Sequence, residues 1–426
     1  MTADLRLGER LMRRLDELAR DTDEPGGITR LFLSPAHRAA MTRLRRWMEE
    51  AGLEVTEDAI GNLVGRVDNG GADATFILGS HIDSVRDAGR YDGGFGVLSA
   101  LEVVDALRRA GTRLPFAIEV VAFGDEEGVR FPTTLSGSRA LAGTFSPASL
   151  SARDPSGLAL GEALRGFGCD IAAIAAIARD PAEICGYLES HIEQGPVLEA
   201  EGLALGVVTA IAGTSRFNVT LTGEAGHAGT VPMGRRKDAL AGAAAMICAV
   251  EAQALAAAAV VATVGVIEAL PGAINVIPAM ARFSLDLRAP TDALRLGAVA
   301  AIEARMREIA AERGLGIEIA PLHEAKATAC DPTLIEALSQ ALARQGHPIF
   351  QLPSGAGHDA MAMAALCPVV MLFARCEGGI SHNPAEAMSV ADADAATRVM
   401  LDFLVHYEPP ARRERRARGA ARQVPA

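Results

Sequence analysis

The sequence predicts an α/β fold in two domains, a mixed sheet flanked by helices and interrupted by a smaller α+β sandwich. Three observations predict it. The chain has 426 residues, too many for one compact core. Helical and strand-like segments alternate from Thr42 to Gly128, the signature of a sheet with covered faces. Near Gly213 the pattern changes to alternating strands and Ala-rich helices, and the α/β character returns after Cys330.

In the first stretch an amphipathic helix ends near Gly52, short strands fall between Leu53 and Val67, and an apolar strand runs from Thr75 to Gly79. A helix from Val97 to Ala110 and a strand from Phe116 to Phe123 follow. Residues 144–186 read as a helical excursion before Tyr187–His191. The next domain comprises a strand at Phe217–Leu221, a helix at Asp238–Ala257, strands at Val260–Ile267 and Ala281–Leu287, and a helix at Asp292–Arg313. The last part adds helix Pro332–Gln345, strand Val369–Phe373 and helix Ala391–Tyr407. The boundaries are therefore set at 1–212 and 327–410 for a discontinuous first domain, 213–326 for the inserted one, and 411–426 for a basic tail.

Composition narrows the function classes. Half of the residues are hydrophobic, 22% are charged and 4% aromatic, which suits a packed globular protein. A formal net charge of -12 argues against a nucleic-acid partner, which clustered Lys and Arg would serve. The Arg-rich tail is read as a solvated terminus. Met1–Arg20 lacks the apolar core of a signal peptide, so a cytoplasmic location is expected. The most lipid-like run, Ala254–Ile267, is shorter than a membrane helix requires, so no membrane partner is expected. The six cysteines lack CxxC spacing and are expected as free thiols.

Polar residues collect just after the apolar strands: His81 and Asp83, then Asp92 in Tyr91-Asp92-Gly93-Gly94, then Asp125-Glu126-Glu127. Imidazole and carboxylate are the ligand types that suit zinc or manganese, and sheet ends hold them rigidly. Each piece alone is weak, since a single His after a strand is usually structural and a Glu pair is usually solvated. Their joint occurrence among glycines points to a metal site.

Longer segments carry a resemblance: GSHIDSV (79–85), DAGRYDGGFGV (87–97), FGDEEGVRFPTTLSGSRALAG (123–143), ESHIEQGPVLE (189–199), GEAGHAGTVPM (223–233), GAINVIP (272–278), LDLRAP (285–290), SGAGHDAMAM (354–363) and GGISHNPAE (378–386). On these the chain resembles peptidase family M20, in its carbamoylase and allantoate amidohydrolase branch, from about His37 to His406. The resemblance implies a metallohydrolase domain with an inserted dimerisation or lid domain. It implies two divalent cations, Mn2+ or Zn2+, bridged by Asp92, one completed by His81 and His191 and the other by Glu127 and His382. Glu126 is implied as general base, and Asp83 as the acceptor that fixes the imidazole of His81.

The same resemblance implies that His227 reaches the reacting centre of a neighbouring subunit, making the protein a homodimer. Gln194, Asn275 and Arg288 are implied as substrate contacts, the last two holding a carboxylate. Gly357 and His358 lie in a glycine-rich turn opening a helix, whose free N–H groups suit an anion. His191, where the peptidases of the family usually have a carboxylate, favours ureido substrates. Among allantoate, N-carbamoyl-L-amino acids, ureidoglycolate and N-carbamoyl-β-alanine, the segments around Arg90, Arg130 and Arg375 most resemble allantoate amidohydrolases, and Arg375 is expected at the second ureido arm. N-carbamoyl-L-amino acids are the alternative, and a peptidase or deacylase a more distant one.

Overall fold

The computed structural model describes residues 6–69 and 74–409; the basic tail expected at 411–426 lies outside them. The chain divides into two compact units. The first runs to Thr209 and takes up Cys330–Leu352 and the chain from His358 onward; the second holds Ala210–Ala329 and Pro353–Gly357.

In the first unit the sheet is mixed. Four parallel strands stand side by side in the order Ala117–Phe123, Thr75–His81, Ile184–Ile192 and Val369–Ala374. Antiparallel strands flank them, Leu63–Val67 and then Glu54–Glu57 on one side and Leu205–Ile211 on the other. Every residue of the four parallel strands is buried. That explains why they read as largely apolar runs rather than alternating ones, with polar groups such as Ser80, His81, Glu189 and His191 gathered toward their carboxyl ends. Helix Gly94–Arg109 is buried from Gly94 to Leu107 and joins a core with Leu11, Leu15, Trp47, Phe76, Leu338 and Phe403. The side chains that follow the parallel strands emerge at their carboxyl ends, where open α/β sheets bind ligands.

The excursion at 144–186 is less helical than its sequence suggests. Only Leu160–Phe167 is an α-helix; Pro147–Ser151 and Ile171–Ile177 are 3-10 turns, and the strand starts already at Ile184.

The second unit has an antiparallel sheet in the order Ile267–Leu270, Met280–Ala289, Gly213–Thr222, Gly316–Ala325, with Val261–Thr263 also pairing with Met280–Ala289. Helices Ala239–Ala256 and Asp292–Glu312 are capped by Asp238 and Thr291, whose side chains accept the amides of Ala241 and Leu294. They share a core with Val219, Leu221, Phe283, Leu285 and Leu287. The single strand expected at Val260–Ile267 is two strands. The break falls around Gly265, where Val266 exchanges hydrogen bonds with Ser284 through both backbone and hydroxyl. Among the described residues Ala239–Ala256 is the helix long and apolar enough to cross a membrane by composition, and its Ala243, Met246 and Val250 are buried.

Candidate metal centre

All five expected ligands come together in the first unit. Asp92 lies immediately before Gly93, the N-cap of helix Gly94–Arg109, where the helix dipole favours a negative charge. Gly93 has φ +62°, and a Cβ there would stand 2.4 Å from Nδ1 of His81, so only glycine lets the Asp92 turn pass so close to the imidazole. His81 and His191 come from the ends of adjacent parallel strands. Glu126 and Glu127 follow the third, and His382 lies in the segment after the fourth.

The Asp92 carboxylate divides the group. Its Oδ1 is 3.5 Å from Nε2 of His81 and 3.2 Å from Nε2 of His191. Its Oδ2 is 3.1 Å from Nε2 of His382, whose Nε2 is also 3.7 Å from Oε2 of Glu127. Two donor triangles therefore share one carboxylate, His81–Asp92–His191 and Asp92–Glu127–His382. Glu126 stands with His81 and Glu127 in a third triangle.

The donors fit divalent cations. Nδ1 of His81 lies 2.9 Å from the Asp83 carbonyl and Nδ1 of His191 lies 2.9 Å from the Ile192 carbonyl. A carbonyl only accepts, so each ring carries a proton on Nδ1 and turns Nε2 toward Asp92. A nitrogen facing a carboxylate oxygen in this way calls for positive charge between them, a proton or a metal ion. Oε1 of Glu127 is buried without a hydrogen-bond partner, a second donor of the same kind.

Electrostatics of the protein atoms agree. Burial pushes the Glu126 carboxyl well above its ordinary range against the attraction of His81, and Glu127 adds to the rise. Burial and then Asp92 lift Glu127 to about 7. Burial disfavours the Asp92 charge, yet hydrogen bonds from His191, His382 and His81 hold its carboxyl well below the usual range. A group of acids that cannot all ionise side by side is suited to bound positive charge.

Some residues take other parts than the sequence suggests. The acceptor for His81 is the backbone carbonyl of Asp83, not its carboxylate. The Asp83 carboxylate instead accepts the amides of Glu126 and Glu127, each at 3.2 Å. His358 is buried, with its ring edge-on to His191 at 4.6 Å between centroids, so it backs a ligand instead of facing the surface. The helix after Gly357 is one turn, Ala360–Met363, and its first amide donates to Oε2 of Glu189 at 2.9 Å; the acceptor there is the protein's own carboxyl group. Arg375 is paired with Asp392, its Nη2 standing 3.0 Å from both carboxylate oxygens.

Gln194, with φ +57°, lies beside the centre: its Nε2 is 3.1 Å from both Asp92 Oδ2 and Ser381 Oγ. The second unit carries His227, Asn275 and Arg288. His227 and Val276 are cross-strand partners in a two-stranded ribbon, and the Asn275 carbonyl accepts the Ala228 amide, so His227 and Asn275 are brought together and both are exposed. Nδ1 of His227 accepts the Gly229 amide at 3.0 Å, leaving Nε2–H as a donor.

Two contributors were not singled out from sequence. Glu386 accepts the amides of Tyr91 at 2.7 Å and Asp92 at 3.2 Å and the Ser381 hydroxyl at 3.0 Å, tying the Asp92 turn to the His382 segment. Glu189 accepts the Ser80 hydroxyl beneath His81. The available signal was position: Glu189 stands two residues before His191, and Glu386 four after His382.

The pattern of Peptidase family M20/M25/M40 matches residues 77–406. The chain belongs to peptidase family M20. This M20 chain is 43% identical over 395 residues to N-carbamoyl-L-amino acid amidohydrolase of Geobacillus stearothermophilus, covering 92% of it and 97% of that relative. It is 41% identical to allantoate deiminase of Arabidopsis thaliana, covering 93% and 82%. Among solved structures, an amidase of the hydantoinase/carbamoylase family from Burkholderia multivorans superposes with a TM-score of 0.88 at 38% identity, covering 93% of this chain and 97% of that one. The chain is thus a hydrolase of the M20 carbamoylase branch, acting on linear amides, and its two-unit mixed α/β fold is that of the branch.

Proposed function

We propose that the protein hydrolyses the ureido C–N bond of allantoate, giving ureidoglycine, ammonia and carbon dioxide. The observation that carries the reading is the Asp92 carboxylate, with one oxygen toward His81 and His191 and the other toward His382 and Glu127. In this reading His81, His191 and Asp92 hold one divalent cation and Asp92, Glu127 and His382 a second, Mn2+ or Zn2+, since imidazole with carboxylate suits either. Such a pair supplies Lewis acidity and a water acidified toward neutral pH.

The chain's own groups do the rest. Glu126 takes a proton from the attacking water and returns it to the departing nitrogen. The Nε2–H of His227 donates to the oxygen that gains charge. Arg288 and Asn275 hold the substrate carboxylate, Arg288 through a planar fork, and Gln194 touches the substrate beside Asp92. His191 in place of a carboxylate supports ureido rather than peptide substrates.

His227 serves the site of a second copy, in a homodimer. Support comes from strand Ile267–Leu270, which ends the sheet of the second unit and exposes Ile267 and Leu270, with Val266 exposed just before it; an apolar sheet edge of this kind is usually covered. A cytoplasmic location, and no nucleic-acid or membrane partner, complete the reading.

A second substrate has its own support: the relative at 43% identity is an N-carbamoyl-L-amino acid amidohydrolase. Ammonia release from allantoate, N-carbamoyl-L-amino acids and dipeptides in the presence of Mn2+ separates the readings. Fastest turnover of allantoate is expected; an equal or higher kcat/KM for a carbamoyl amino acid transfers the assignment to that class.

A further inference from the structure

We propose that Asp286 is a positioning residue that turns one chosen edge of the Arg288 guanidinium toward a substrate carboxylate, and thereby sets the preference for carboxylated ureido compounds. The proposal rests on the reading of Arg288 given above.

Asp286 and Arg288 are two residues apart on strand Met280–Ala289 and so share a face. Asp286 Oδ1 accepts Nε of Arg288 at 2.9 Å and Oδ2 accepts Nη2 at 3.1 Å, which fills the side edge of the guanidinium. Arg216, the cross-strand partner of Asp286, donates Nε to the same Oδ2 at 2.7 Å and fixes the carboxylate from the other side. The Gly355 carbonyl accepts Nη1 of Arg288 at 2.8 Å.

A guanidinium has five N–H donors, and three are thereby engaged. The N–H that Nη2 keeps lies on the end edge shared with Nη1; with the side edge filled, that end edge is the one turned to the two oxygens of a carboxylate. Arg288 lines a cavity of about 520 Å³ whose walls include Ala212, Val261, Thr263 and Pro353. The charged residues among its lining are Asp286 and Arg288.

An ion pair without this role makes the opposite forecast. Replacing Asp286 by a neutral residue adds net positive charge, which by Coulomb attraction alone strengthens the hold on an anion. Loss of positioning weakens it. The sign of the change decides between them.

The test measures KM and kcat of Asp286→Asn for allantoate, for an N-carbamoyl-L-amino acid, and for the neutral carboxamide analogue of each. We expect KM for the carboxylates to rise about tenfold, the value of one charge-assisted contact, with the loss falling on KM rather than kcat. The preference for carboxylate over carboxamide should shrink to match. An unchanged or lowered KM overturns the proposal.

Arg288→Lys, run beside it, isolates the underlying reading. If it leaves KM for the carboxylates unchanged, Arg288 is not the carboxylate contact and both ideas fall. If it raises KM while Asp286→Asn does not, only the role of Asp286 is lost. Should Asp286→Asn not fold, Arg216→Gln frees Asp286 on one side and is expected to raise the same KM about threefold; no rise overturns the proposal equally.

Discussion

Asp83 holds Glu126 by its backbone. One oxygen of the Asp83 carboxylate accepts the Glu126 amide, the other accepts the amide of Glu127, and the Asp83 carbonyl fixes the ring of His81. One residue thus orients a histidine and both glutamates through hydrogen bonds to atoms beside the centre. Asp83→Asn keeps one acceptor but turns an NH2 toward an amide N–H. We expect metal affinity and kcat/KM to fall about 10–100-fold, measured by metal titration and steady-state kinetics. Unaltered values of both would show that Glu126 and Glu127 are placed without it.

Glu126→Gln removes the proton carrier while leaving all five donors. Metal content should stay near that of the parent and kcat should drop on the order of 10²–10⁴-fold. A near-normal rate in this variant excludes Glu126 as the base.

Chelation followed by dialysis should abolish activity, and Mn2+ or Zn2+ should restore it with two ions bound per chain by elemental analysis. The loaded protein should also melt at a higher temperature, because a ligand bound to the native state alone stabilises it by mass action. Full activity after exhaustive chelation is incompatible with a metal centre.

His227→Ala and Arg288→Ala, each inactive alone, should complement when subunits are mixed, if His227 serves the partner's site and Arg288 its own. Half of the dimers in an equal mixture are then heterodimers with one intact site, so about a quarter of the parental activity should return. No recovery after verified subunit exchange would place both residues in the same site.

His37 supplies a test of stability against pH. Burial, with Arg30, Arg38 and Arg130 adding, pushes its pKa from 6.5 down to about 3, and its Nδ1 accepts the Leu33 amide at 3.1 Å. The folded protein therefore keeps it neutral while the unfolded chain takes up a proton below pH 6.5. Between those two values stability falls as the pH falls, by about 2 kcal/mol from pH 7 to pH 5. The difference in unfolding free energy between pH 7 and pH 5 should shrink by that amount in His37→Gln, read from denaturant curves. A pH dependence identical to the parent's would mean that His37 protonates in place.

The sequence exposed the fold where burial is two-sided, since Thr75–His81, Ala117–Phe123 and Val369–Ala374 are apolar runs of strand length. It misled around Gly265, because alternation continues on both sides of a break that only the pairing with Met280–Ala289 reveals. The same division holds at the site. His81, Asp92, Glu127, His191 and His382 announce themselves by residue type and by position after strands. Glu386 and Glu189 do not, since an acid that accepts backbone amides looks in one dimension like any surface acid. Arg375 shows the converse, because Asp392, which occupies it, lies 17 residues away and a free-looking cation in a sequence is paired in space.

The knot made by Glu386 sets the timetable of assembly. Tyr91, whose amide it accepts, lies 295 residues earlier in the chain, and Ser381 lies 289 residues from Asp92. At 5–20 residues per second a ribosome needs roughly 15–60 s to travel from one to the other. Throughout that interval His81 and Asp92 are already synthesised while the segment bearing His382 does not yet exist. The five donors can meet only in a nearly finished chain, and a message truncated before Ser381 yields strands and helices with half a centre.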